Sequence, residues 1–169
     1  MAIWKKIATI DDVTDANGLS SYASGNIVND WGGDDYSALN AAGKCYGESV
    51  KLGTAISFTA GKIYALTPSG WTLATNTTIS HGKYLLAIAT GTTTNAFPTN
   101  GMFTKGIIRM SSIDGIDYRG SILYMHATGN ATATTPTATG SIVRPIGYAA
   151  DPTYNVVYFD PDKTWVELS

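Results

Sequence analysis

The residues best suited to metal or nucleophilic chemistry are two histidines and one cysteine, and their positions do not combine. His81 stands beside a glycine turn, His126 ends a candidate strand, and Cys45 is distant from both. A zinc centre takes three or four nitrogen, sulfur or carboxylate ligands at recognisable spacings. None of these three residues belongs to such a set. The sequence carries no Gly-x-Ser-x-Gly elbow, no His-Glu-x-x-His and no phosphate-binding glycine loop. Carboxylate pairs are the other route to catalysis, since glycosidases use two. Asp114 and Asp117 flank Gly115-Ile116, and Asp160 and Asp162 flank Pro161. Aspartate before glycine or proline is turn chemistry, because its side chain bonds the local backbone. Asp11, Asp12 and Asp15, and again Asp30, Asp34 and Asp35, lack the spacing of a calcium loop and read as a solvated acidic face. The expectation is a chain that is not an enzyme and holds neither metal nor cofactor.

Aromatic residues carry more information. Tyr64, Trp71, Tyr84, Phe103, Tyr118, Tyr124, Tyr148, Tyr154, Tyr158, Phe159 and Trp165 all fall in or beside candidate strands. Several of them on one exposed face would stack on sugars or pack against another subunit. Phe97 lies in the longest loop of this region, Thr90–Gly101, and loops of that length in a compact domain are often functional.

The elements that would position these side chains are short strands. Candidates are Ala55–Thr59, Ile63–Leu66, Trp71–Ala74, Leu85–Thr90, Gly101–Met110, Ile122–His126, Ala131–Thr134, Ile142–Ala150, Val156–Phe159 and Trp165–Leu168. Turn signals such as Pro68-Ser69-Gly70, Asn100-Gly101 and Asp160-Pro161-Asp162 separate them at fairly even intervals. That pattern predicts an all-β fold, an antiparallel sandwich or barrel. An internal duplication is also legible. Gly61–Thr75 lies over Gly120–Thr134, with Gly61 on Gly120, Ile63 on Ile122, Gly70 on Gly129 and Ala74 on Ala133. Each copy reads as strand, glycine turn, strand, and an apolar run follows each.

Residues 1–50 differ from the β domain expected over 51–169. They are rich in Asp, Gly, Asn and Ser, and read as an extended arm with one short helix over Asp34–Ala42, stopped by Gly43. Trp4, Ile7, Ile10, Val13, Ile27, Val28 and Trp31 need a surface to lie on, either their own domain or a neighbouring subunit.

Composition narrows the function classes. The 169 residues are 44% hydrophobic but only 14% charged, against a usual charged fraction of about 25%. Such a polar, uncharged surface suits close packing against protein. With a net charge of -2 there is no basic face to offset phosphate repulsion, so nucleic acid is not an expected partner. No window reaches the length of a membrane span, and the N-terminus lacks the apolar core of a signal peptide. Cys45 has no partner for an internal disulfide. Assembly in a cytoplasm is the expectation.

Two stretches resemble a known group. Trp4-Lys-Lys-Ile-Ala-Thr-Ile-Asp-Asp-Val13 looks like the N-terminus of tailed-bacteriophage virion proteins, especially fibre and decoration proteins. Ile142-Val-Arg-Pro-Ile-Gly-Tyr-Ala-Ala150, followed by Val156-Val-Tyr-Phe-Asp-Pro-Asp-Lys-Thr-Trp-Val-Glu-Leu168, resembles a C-terminal β module of phage structural proteins. The resemblance covers about residues 50–169 and brings no catalytic residues. It implies a capsid decoration or cement protein of the virion, forming a homo-oligomer, a trimer in the usual case, and packing on the major capsid protein. The alternative it implies is a tail or head fibre component, with a host-surface glycan or receptor as partner through the loop around Phe97. The interface candidates are Trp4, Ile7, Ile10, Trp31, Phe97 and Trp165.

Overall fold

The computed structural model of the chain describes residues 39–115 and 119–169, all within one compact unit, Ser37–Ser169. The described residues form an all-β fold: β1 (Cys45–Val50), β2 (Ile63–Thr67), β3 (Gly70–Leu73), β4 (Leu85–Ala89), β5 (Met102–Arg109), β6 (Ile113–Asp114), β7 (Ile122–Met125), β8 (Ala131–Thr132), β9 (Ile142–Val143), β10 (Pro145–Asp151), β11 (Val156–Phe159) and β12 (Val166–Glu167). Two short 3-10 turns, Ile79–Lys83 and Ala127–Gly129, join them. The main sheet runs β3-β2-β4-β5-β11-β10-β7-β8-β6, and β1 also pairs with β5. A separate ribbon pairs β9 with β12.

The sheet curls at β5. β1 pairs with it from Met102 to Ile108. β4 takes Met102 and Phe103, and β11 takes Gly106 to Arg109. Successive stretches of one strand thus belong to two halves of the sheet. A bulge between Glu48 and Ser49 of β1 marks the changeover, as expected where a strand twists sharply. Gly47 and Gly106 face each other there, with φ of 148° and 124°. A Cβ on Gly47 would lie 2.1 Å from the Lys105 carbonyl oxygen, so only glycine fits.

The two halves close over one core. Ile63, Ala65, Leu86, Ile88 and Phe103 come from the first half, and Leu123, Met125, Ile146, Ala149, Val157 and Phe159 from the second. On the far side of the first half lies a smaller cluster of Tyr64, Trp71, Ala87, Ala89 and Met102, packed by Phe58, Ile56 and Val50. β4 therefore has both faces covered, which explains why its sequence is an unbroken apolar run rather than an alternation.

The predicted duplication appears in the strand order. From one end the sheet runs β3-β2-β4-β5, and from the other, inside the terminal β6, it runs β8-β7-β10-β11. The equivalent hydrogen bonds are kept: Gly61 N–H donates to Ala89 O and Gly120 N–H to Ala149 O, both at 2.8 Å. The aligned residues nevertheless face opposite ways. Ile63 is fully buried, while Ile122 is 45% exposed. A one-residue change of parity turns every side chain of a strand over, so the copies share topology and not packing.

Two N-terminal expectations change. The helix expected over Asp34–Ala42 is not formed in its described part, since Leu39–Ala42 is irregular and turns at Gly43, φ 84°. The chain here is held against β5 instead: Gly43 N–H donates to Arg109 O, and Arg109 N–H donates to Lys44 O. The β domain also starts before residue 51, because β1 is part of the sheet and Leu39 is buried. A chain beginning at Ser37 is accordingly expected to keep the cooperative melt and midpoint of the full chain. A broad or lowered transition in scanning calorimetry would show that the boundary is wrong.

Candidate functional site

The site is assembled by register across five strands. Side chains of the second half alternate between the core and the outer face. Ile108, Val157, Ala149 and Leu123 point into the core, so Ile107, Tyr158, Tyr148 and Ile122 point outward. Cross-strand pairing then places them in one line. Tyr46 is opposite Ile107, Ile107 opposite Tyr158, Tyr158 opposite Tyr148, and Tyr148 opposite Ile122. Directly opposed side chains in such a ladder touch. Tyr148 is 51% exposed and Ile122 45% exposed, and the other three are half-buried.

Charged groups border this apolar row. Two residues along each strand, on the same face, stand Glu48, Lys105 and Asp160. Glu48 pairs with Lys105 in the ladder, and the Lys105 ammonium meets the Asp160 carboxylate at 3.0 Å. The Asp160 hydrogen bond and charge hold the Lys105 pKa above its ordinary value. On the other border the Arg109 guanidinium lies 5.7 Å from the centre of the Tyr154 ring. Its Nη1 donates to the Leu39 carbonyl at 3.0 Å. An apolar strip with a polar rim is the anatomy of a protein-binding surface.

The predicted interface residues lie elsewhere. Trp4, Ile7, Ile10 and Trp31 fall outside the described residues. Phe97 is half-buried and stacks on Phe58 with ring centres 5.7 Å apart. Phe58 in turn makes an edge contact with Tyr64 at 5.1 Å, so Phe97 helps roof the smaller cluster. Trp165 is half-buried against the main core, its indole over Gly82. Of the outer row, sequence reading had singled out Tyr148 and Tyr158 as strand aromatics. Tyr46, Ile107 and Ile122 were missed as partners because only long-range register unites them.

Among the described residues, titratable groups do not gather into a centre. No three of His, Cys, Asp and Glu among them lie together. The His81 Nδ1 accepts a hydrogen bond from Thr75 N at 3.2 Å. Burial lowers its pKa. Burial pushes the Cys45 thiol up to about 11 despite nearby Lys44, which leaves it a poor nucleophile near neutral pH. Asp162 accepts from Thr164 N at 2.9 Å, the expected turn contact, and that bond lowers its pKa. Asp160 instead serves Lys105. His126 Nδ1 lies 3.2 Å from Asp114 Oδ2, without hydrogen-bond geometry.

Among known proteins, the chain matches no family model, no curated protein and no solved structure.

Proposed function

We propose that this chain is a structural protein of a tailed-phage virion, a capsid decoration or cement protein that acts by packing its outer sheet face against protein. The observation that carries the reading is the row Tyr46, Ile107, Tyr158, Tyr148 and Ile122, bordered by charge. The resemblance of residues 142–168 to phage structural modules and the low charge of 14% support it. Copies of the chain form a homo-oligomer, a trimer in the form the resemblance implies, and sit on the major capsid protein. Burial of apolar surface between subunits then adds free energy to a shell under the pressure of packaged DNA. The fibre alternative, with receptor or glycan recognition through the loop around Phe97, has less support because Phe97 is stacked on Phe58.

Sedimentation equilibrium tests the assembly. The full chain is expected above its monomer mass of 17.8 kDa at micromolar concentration. The Tyr148→Lys variant is expected to weaken association about thirtyfold, the ~2 kcal/mol of a central interface residue, with an unchanged melting midpoint. A wild-type chain that sediments only as a monomer and fails to join particles would overturn the proposal.

A further inference from the structure

The sequence between Ala131 and Gly140, an alternation of Thr and Ala around Pro136, has no part in the outer face. With its neighbours it lines a pocket of ≈ 240 Å³. The pocket lies where the two repeat copies meet. Asn76 enters it from the first copy, just after β3, and His126, Thr132 and Thr134 enter from the second. Ser141 closes it at the start of β9.

Asn76 and Ser141 are two buried polar residues that line this pocket. Asn76 is 7% exposed and Ser141 5% exposed. Asn76 engages only its backbone carbonyl, which accepts from Ile142 N at 2.7 Å. Ser141 engages only its backbone groups, with Ala138 O and Leu168 N. Among the described residues neither the Asn76 amide nor the Ser141 hydroxyl has a hydrogen-bond partner. More than nine-tenths buried, they line a space that a ligand can enter. His126 Nδ1, at the same pocket, is the buried side-chain polar atom without a hydrogen-bond partner among the described residues, so a ligand that supplied a partner there would be favoured. The walls are already fixed by Thr134 N donating to Thr132 Oγ1 and Ala133 N to Asp114 O.

The chemistry of the lining selects the ligand. An amide and several hydroxyls offer donors and acceptors in alternation, which suits vicinal hydroxyl groups. Neither lysine nor arginine lines the pocket. The Asp114 carboxylate lies beside His126 of the lining, which disfavours an anion. The volume falls below the ~300–1,000 Å³ common for drug-sized ligands. We infer that this pocket binds one neutral, hydroxyl-rich unit the size of a single sugar ring. The inference is independent of the outer face and of the assembly reading.

Glucose and N-acetylglucosamine, each titrated into the full-length ¹⁵N-labelled chain, are the probes. At least one is expected to give saturable shifts confined to the amides of Asn76, His126 and the 132–141 stretch. Asn76→Ala and Ser141→Ala should each weaken that binding about tenfold, the loss of one hydrogen bond. Sulfate should not saturate the site. The inference is overturned if neither sugar perturbs these amides at high millimolar concentration, or if shifts centre elsewhere. Sulfate binding there, or sugar binding unchanged in both variants, would overturn it equally. Mapping on the wild-type chain keeps the test decisive if a variant misfolds.

Discussion

Arg144→Leu is expected to destabilise the β domain by ~3–5 kcal/mol, the cost of leaving three buried or partly buried carbonyls without their donor. Arg144 is 5% exposed and sits at the break between β9 and β10. Its Nε donates to Asp162 O at 2.8 Å, and its Nη1 to Gly82 O at 2.9 Å and to Tyr84 O at 2.6 Å. One side chain thus ties the turn after β11 to the segment that leads into β4. Burial pulls its pKa down and nearby Asp162 opposes this, so the carbonyls act as the guanidinium's main compensation. Leucine would fill part of the space and leave three carbonyls without their donor. Each buried orphan costs about 1–3 kcal/mol, less where water can reach it. Arg144→Lys is expected to fall between the two, because an ammonium cannot reproduce the planar fork that spans these acceptors. Urea melts of the three proteins check the order. A leucine variant within error of wild type would mean that the network contributes nothing net.

Arg144 also shows where sequence reading met its limit. The run Ile142–Ala150 looks like one strand, since apolar and small residues continue on both sides of the arginine. In the structure it is two, because Arg144 turns inward and β9 leaves to pair with β12 while β10 pairs with β7 and β11. Local pattern was sufficient where a strand's neighbours impose simple alternation or continuous burial. Val156–Phe159 agrees residue for residue, and Ile63–Thr67 and Leu85–Ala89 to within one. It failed for β1, Cys45–Val50, where Gly47 and Glu48 suppress the β signal and the close approach to Gly106 is what holds the strand. Ala55–Thr59 failed in the opposite sense. It has strand composition, but it forms only the bridge from Phe58 to Thr93 and serves as a roof. The outer row was the least legible part. Tyr46 and Ile122 are far apart in the chain and become neighbours of one surface only through four successive registers, which no local periodicity encodes.

Trp165→Ala is expected to lower stability by ~2–3 kcal/mol. A fully buried tryptophan costs ~3–5 kcal/mol on truncation, and this one is half-buried. Its indole packs on Gly82 so closely that a Cβ there would lie 2.8 Å from Cδ2 of the ring. Gly82 does not have a positive φ, so alanine suits its backbone, and any cost of Gly82→Ala comes from the collision with the indole. The two positions should therefore couple. Gly82→Ala is expected to destabilise the wild type by ~1–3 kcal/mol, the usual cost of overpacking. In the Trp165→Ala background it should cost much less, because the ring that it strikes has gone, leaving a tight contact with Ile142 Cγ2 at 3.2 Å. A double-mutant cycle by urea melts reads this as an interaction energy of at least about 0.5–1 kcal/mol. Additive effects would mean that the indole does not rest on Gly82. Surface binding measured on the same variants separates a structural tryptophan from a sugar platform. A platform residue would leave melting and oligomeric state intact and abolish only glycan or cell-surface binding. That outcome would favour the receptor-binding fibre over the cement protein.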